Sequence, residues 1–149
     1  MKPAFDEIKE GDRRSSARVI THHDIEMFAT ITGDFNPIHL DDEFARGTVF
    51  KGRIAHGILT TGLISAALSK FPGVIVYLSQ SLSFRKPVRP GDRIEATAEV
   101  VEKIPEHSEL KLTTVCQNQR NEIVLSGEAR VKVLEAEAFG SRDHSKKET

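Results

Sequence analysis

The chain has 149 residues, 38% hydrophobic and 29% charged, which suits one soluble globular domain with its own core. Its formal net charge is −1, which argues against nucleic acid or an anionic membrane as the main partner. The lone Cys116 cannot form an internal disulfide, the charged opening "MKPAFDEIKEGDRRSS" has no apolar signal core, and no apolar run is long enough to span a bilayer. A cytoplasmic protein is expected.

In chain order, "SSARVI" is a first strand. Thr21 then caps a helix, with Asp24 three residues on as the acidic partner of a capping box. Ile25, Phe28 and Ala29 give that helix an apolar side, and Gly33 ends it. "TGDFNPIHLDD" follows, and "DDEFARGTVF" adds one or two helical turns. "HGILTTGLISAALSKFPG" is a second helix, from His56 or Gly57 to Pro72-Gly73. Its apolar residues Leu59, Leu63, Ile64, Ala67 and Leu68 lie almost all round the cylinder, and no acid occurs between Gly57 and Lys70, so it is expected to be buried.

The period then changes to two. "VIVYLSQSLSFRKPV" reads as one long strand. "DRIEATAEVVEKI" alternates Ile94, Ala96, Ala98 and Val100 against polar residues. "SELKLTTVCQNQ" does the same with Leu110, Leu112, Thr114 and Cys116, and "NEIVLSGEARVKVL" with Ala129, Val131 and Val133. "RPGD" and "NQRN" are turns between strands. The order predicts an α+β domain in which an antiparallel meander curves around the buried helix. It spans residues 1–134, and residues 135–149, "EAEAFGSRDHSKKET", form a charged tail expected to be flexible.

Several stretches can carry chemistry. In "DFNPIH", Asp34 and His39 stand five positions apart on a proline-stiffened loop. Asp, Asn and Pro are ordinary turn formers. Equally, a carboxylate and an imidazole facing one cavity can hold a water, remove its proton and return a proton elsewhere. His22, His23 and Asp24, or His39 with Asp41 and Asp42, offer metal-ligand types, although a histidine pair at a helix start is usually solvated. Cys116 sits on the apolar phase of a strand, where an inert thiol is usual. Gly57 in "AHGIL" opens a helix whose first N–H groups are free to bind an oxygen gaining charge, or it serves close packing alone. Ser65 and Ser69 can simply bond back to their own helix. Arg85, Lys86 and Arg89 in "FRKPVRPGD" can meet phosphates or merely flank a turn.

"TGDFNPIHLDDEFA", "KGRIAHGILTTGLISAAL" and "YLSQSLSFRKPVRPGD", taken together, closely resemble the MaoC-like (R)-specific enoyl-CoA hydratases over about residues 5 to 134. The resemblance implies a hot-dog fold and a homodimer whose two sheets join side by side. It implies catalytic roles for Asp34 and His39, thioester-oxygen binding at Gly57, support from Ser65, and a loop shaped by Asn36. The implied reaction is reversible addition of water to a trans-2-enoyl-CoA to give an (R)-3-hydroxyacyl-CoA. Coenzyme A then enters as part of the substrate, and neither a metal nor a redox cofactor is required. A hot-dog thioesterase, a non-catalytic acyl-CoA-binding module and a related dehydratase acting on another acyl-CoA remain as alternatives. The lack of an acid on the second helix counts against the thioesterase.

Overall fold

Side chains alternate across a strand, so a sheet with one buried face must repeat apolar residues every second position. The protein follows this rule along its longest strands. A computed structural model describes residues 2–135. In it the chain runs α1 (Ala4–Glu7), β1 (Arg13–Val19), α2 (His22–Thr32), α3 (Pro37–Leu40), α4 (Asp42–Arg46), α5 (Gly57–Leu68), β2 (Val74–Gln80), β3 (Ser83–Phe84), β4 (Arg93–Ile104), β5 (Glu109–Gln117) and β6 (Ile123–Leu134). Ile94, Ala96, Ala98 and Val100 of β4 are buried, as are Leu110, Leu112, Thr114 and Cys116 of β5 and Ala129, Val131 and Val133 of β6. These faces enclose Ile64 and Leu68 of α5 in one core. This is the expected α+β arrangement of a sheet around a central helix.

The helix signals in the sequence have their physical counterparts. Thr21 Oγ1 accepts the Asp24 N–H at 3.1 Å and Asp24 Oδ2 accepts the Thr21 N–H at 3.1 Å, which completes the capping box. Asp24 also holds the Arg18 guanidinium through both carboxylate oxygens, and that cation pulls the carboxyl pKa down to about 2. Gly33 ends α2 at φ 80°, in the left-handed region that glycine enters without strain.

Three expectations are corrected. The sheet order is β1-β4-β5-β6-β2 with antiparallel pairs, so β4, β5 and β6 form a meander but β2 lies beyond β6 instead of beside β4. Secondly, "VIVYLSQSLSFRKPV" is not one strand. Its register shifts between Tyr77 and Ser79, and β2 stops before a second short segment, β3, resumes pairing with β6. The chain there passes so close to β6 that a Cβ on Gly127 would lie 1.8 Å from the Ser81 carbonyl oxygen. Ser81 N–H donates to Glu128 O at 2.9 Å, and Glu128 N–H to Ser81 Oγ at 2.9 Å. A close crossing of this kind needs a residue without a side chain.

The third correction concerns α5. It is buried on one side only, through Thr60, Ile64, Ala67 and Leu68. Ile58, Gly62 and Ser65 form an exposed stripe at helical spacing, and Ile58 is 55% exposed. Beyond the central helix, Glu135 is tied to the first turn of the chain, accepting Ala4 N–H at 2.8 Å, while the rest of the expected tail lies outside the described residues. Among the described residues no helix is long and apolar enough to cross a membrane.

Candidate active site

The loop after α2 is built by its own polar side chains. Asp34 N–H donates to Thr32 Oγ1 at 3.2 Å, and Asp34 Oδ1 accepts Asn36 N–H at 3.2 Å. Asn36 Oδ1 accepts Ile38 N–H at 3.3 Å and so caps α3, with Pro37 at its first position. What reads as a turn is a turn followed at once by one helical turn, and that turn carries His39 inward. Turn chemistry and bond-making chemistry are therefore not rivals here, because the same bonds that make the turn orient Asp34 and His39.

His39 is only 9% exposed. Its Nδ1 lies 2.7 Å from the Ile54 carbonyl oxygen. A carbonyl only accepts, so Nδ1 carries the hydrogen and Nε2 keeps a free lone pair in the neutral ring. Behind it stands His56, 3% exposed, whose ring centroid is 3.9 Å from that of His39 at an interplanar angle of 31°. His56 Nε2–H donates to the Asp34 backbone carbonyl at 3.1 Å, and Phe28 packs on the same imidazole at 4.7 Å. His56 thus joins the Asp34 loop, the His39 ring and the start of α5. Burial pushes its pKa below the ordinary imidazole value, the bond to Asp34 opposes this, and the neighbouring His39 adds to it. In the sequence His56 stands out only as a possible start of the second helix. Its one sequence signal is a polar residue immediately before an apolar helix, and such a residue is more often a simple cap.

Gly57 is the first residue of α5. Its N–H makes no hydrogen bond among the described residues, as the helix geometry requires. Gly57, Ile58 and His39 stand where two hollows meet. The smaller is lined by Phe28, Thr32, Asp34 and His56 as well. The larger, of about 420 Å³, runs between Phe50, Ile54, Val88 and Leu125 and opens beside Arg85 and Lys86. Its wall is largely apolar, with Phe84 lying directly on Gly57, where an added Cβ would approach Phe84 Cε1 to 2.4 Å. An elongated apolar ligand with a polar reacting centre at the junction fits this shape.

The other sequence candidates divide. Lys86 is paired with Glu122 and Arg85 donates to Ser126 Oγ at 2.7 Å, both at the cavity rim. Arg89 is turned elsewhere: its guanidinium donates to the Phe50 carbonyl, holding the wall loop. Ser65 lies two turns along α5 on the exposed stripe, and Ser69 Oγ donates to Ala66 O at 2.6 Å within its own helix. Cys116 is fully buried and burial pushes its thiol up to about 12, so it is no nucleophile. The proposed metal sets do not converge. Asp24 is engaged by Arg18, whereas His22 and Asp42 both contact Arg53. The set that does converge is Asp34, His39 and His56, whose ligand-type atoms lie within 4.8 Å of one another. Two of its ring nitrogens carry hydrogens donated to carbonyls, which leaves His39 Nε2 and His56 Nδ1 as the nitrogens that face no protein partner among the described residues.

Comparison with known proteins agrees with this geometry. The profile of the MaoC like domain family matches residues 5–122. A 3-hydroxybutyryl-CoA dehydratase of Methylorubrum extorquens is 47% identical, with 89% of this chain and 85% of that protein aligned. An (R)-specific enoyl-CoA hydratase of Rhodospirillum rubrum is 44% identical, over 87% of this chain and 90% of that protein. Among solved structures, the unliganded R-hydratase of Pseudomonas aeruginosa superposes with a TM-score of 0.83 at 38% identity, covering 89% of this chain and 86% of that one.

Proposed function

We propose that this chain, which belongs to the MaoC-like domain family, is an (R)-specific enoyl-CoA hydratase, adding water reversibly to a trans-2-enoyl-CoA to give an (R)-3-hydroxyacyl-CoA. The observation that carries the reading is the meeting of an Asp34 carboxylate oxygen and a His39 ring nitrogen, within 4.8 Å, in the smaller hollow where it joins the apolar cavity, beside an unpaired helix N–H. Hydration needs these parts. The water oxygen must bond to C3 while the water loses a proton, C2 must gain a proton, and the thioester oxygen must be stabilised as enolate character develops. Asp34 and His39 serve the two proton steps on one water. The Gly57 N–H meets the thioester oxygen in a water-poor setting where a donor is worth more. Asn36 shapes the loop through its cap of α3. Arg85 and Lys86 at the rim suit the phosphates of coenzyme A.

The active form is read as a homodimer. β2 is an edge strand, paired only through β6, and it exposes Val74, Val76, Tyr77 and Leu78. Such an edge invites a second strand. Joining β2 of two copies would make one continuous sheet. Sedimentation equilibrium should give twice the 16.6 kDa of the chain, and a monomer at micromolar concentration would remove this part of the reading.

The activity is tested on crotonyl-CoA and longer enoyl-CoA substrates, following loss of the conjugated absorbance and resolving the 3-hydroxyacyl product by chirality. The expected product is the (R) form, with little free thiol released and no loss of rate after exhaustive treatment with a chelator. Rapid release of free coenzyme A without hydroxyacyl product would instead identify a thioesterase. A rate abolished by chelation and restored by a divalent ion would assign Asp34, His39 and His56 to a metal.

A further inference from the structure

Among the described residues, two buried side-chain polar atoms have no hydrogen-bond partner, His56 Nδ1 and Thr60 Oγ1. Both stand at the start of the same helix, His56 as its cap and Thr60 one turn on. Thr60 is 1% exposed and lies on the wall of the larger cavity, among Ala55, Phe84, Val88 and Leu125. Nothing in the helix requires this. The next residue, Thr61, does what a helix threonine usually does and donates back to Gly57 O at 3.2 Å. Thr60 leaves its hydroxyl unbonded on an apolar wall, which destabilises the folded chain unless something else accepts the bond.

The place of that hydroxyl follows from the helix face it shares. Side chains on a helix lean over the turn that precedes their own Cα, and positions three apart share a face. Thr60 thus shares a helix face with Gly57, three residues earlier, and both line the larger cavity. We propose that the Thr60 hydroxyl is a second hydrogen-bond donor to the thioester carbonyl oxygen, beside the Gly57 N–H. Resting on the hydratase reading, this makes Thr60 a catalytic residue. As C3 accepts the water oxygen, electron density moves to the thioester oxygen, and two donors then share the charge that one would carry alone.

Thr60→Val removes the hydroxyl and keeps the shape, and Thr60→Ser keeps the hydroxyl and removes a methyl. Crotonyl-CoA hydration by Thr60→Val should fall in kcat on the order of 10²-fold, as for loss of an oxyanion donor elsewhere, with KM changed much less. Its melting temperature should hold or rise, because an unpartnered buried hydroxyl has gone. Thr60→Ser should keep most of the wild-type kcat. Butyryl-CoA, which cannot be hydrated, gives a readout without turnover: its thioester carbonyl stretch should drop on binding to wild type and drop less with Thr60→Val. A Thr60→Val enzyme with near wild-type kcat, a loss confined to KM, a lowered melting temperature, or a serine variant as slow as the valine would each overturn the proposal. A wild-type protein that hydrates no enoyl-CoA would overturn the hydratase reading itself, an outcome distinct from all of these.

Discussion

Asp34→Asn and His39→Gln should each lower kcat for enoyl-CoA hydration ~10²–10⁴-fold, the usual cost of losing one general acid or base. Both changes are chosen to spare the scaffold. The side-chain carbonyl left by Asp34→Asn can still accept the Asn36 N–H that Asp34 Oδ1 accepts now, so the cap of α3 survives. Glutamine at position 39 can still donate to Ile54 O, the bond His39 makes through Nδ1, but it has no basic nitrogen to offer at Nε2. His39→Ala should be equally slow, but it also removes the ring that stacks on His56, so it needs circular dichroism beside the rate. The double variant Asp34→Asn, His39→Gln should be little slower than the slower single one. Two groups that handle one water act as a unit, and removing the second costs little once the first is gone. Strict additivity of the two losses would mean that they act in separate steps. Near wild-type turnover in either single variant would end the assignment of the pair.

How much of this was legible in the sequence depends on how local each determinant is. Thr21, Asp24 and Gly33 specify the start and end of α2 within a dozen or so residues, and the structure has them in those roles. The alternation in β4, β5 and β6 names the buried face because the period of a strand is a local property. The break between β2 and β3 is different. It depends on the closeness of Gly127 to Ser81, forty-six positions away, and no periodicity within "VIVYLSQSLSFRKPV" encodes it. The exposed stripe of α5 was hidden for a related reason. Ile58 is apolar, so composition reads it as core, and which face of α5 the rest of the chain covers is not a local property of the helix. At the site, Asp34 and His39 were legible because their spacing is part of a contiguous motif. His56 was not, since its part rests on contacts with Phe28 and His39 from two other elements. Arg85, Lys86 and Arg89 look alike in sequence, yet Arg85 and Lys86 line the larger cavity while Arg89 donates its guanidinium to Phe50 O.

Gly57 offers the second large effect, provided that its two possible roles are separated. Gly57→Ala keeps the N–H but adds a Cβ that would stand 2.4 Å from Phe84 Cε1. Phe84 is 56% exposed, so its ring can swing outward instead of forcing the helix apart. That motion disturbs the cavity mouth, and the expected result is a raised KM with a smaller change in kcat. Gly57→Pro adds a Cβ at the same place and also removes the N–H. The backbone accepts proline here. Position 57 is the first of the helix, where proline is favoured, and the preceding His56 has φ −60° and ψ 129°, the extended conformation a residue before proline adopts. The Ala variant therefore serves as the steric control for the Pro variant. The kcat of Gly57→Pro should lie a further ~10²–10³-fold below that of Gly57→Ala, with helix content unchanged by circular dichroism, because an oxyanion donor has been lost. Equal kcat values for the two variants would show that the N–H does not touch the reacting oxygen. Gly57 would then be present only to let Phe84 lie flat on the start of α5, and the charge on the thioester oxygen would need another donor.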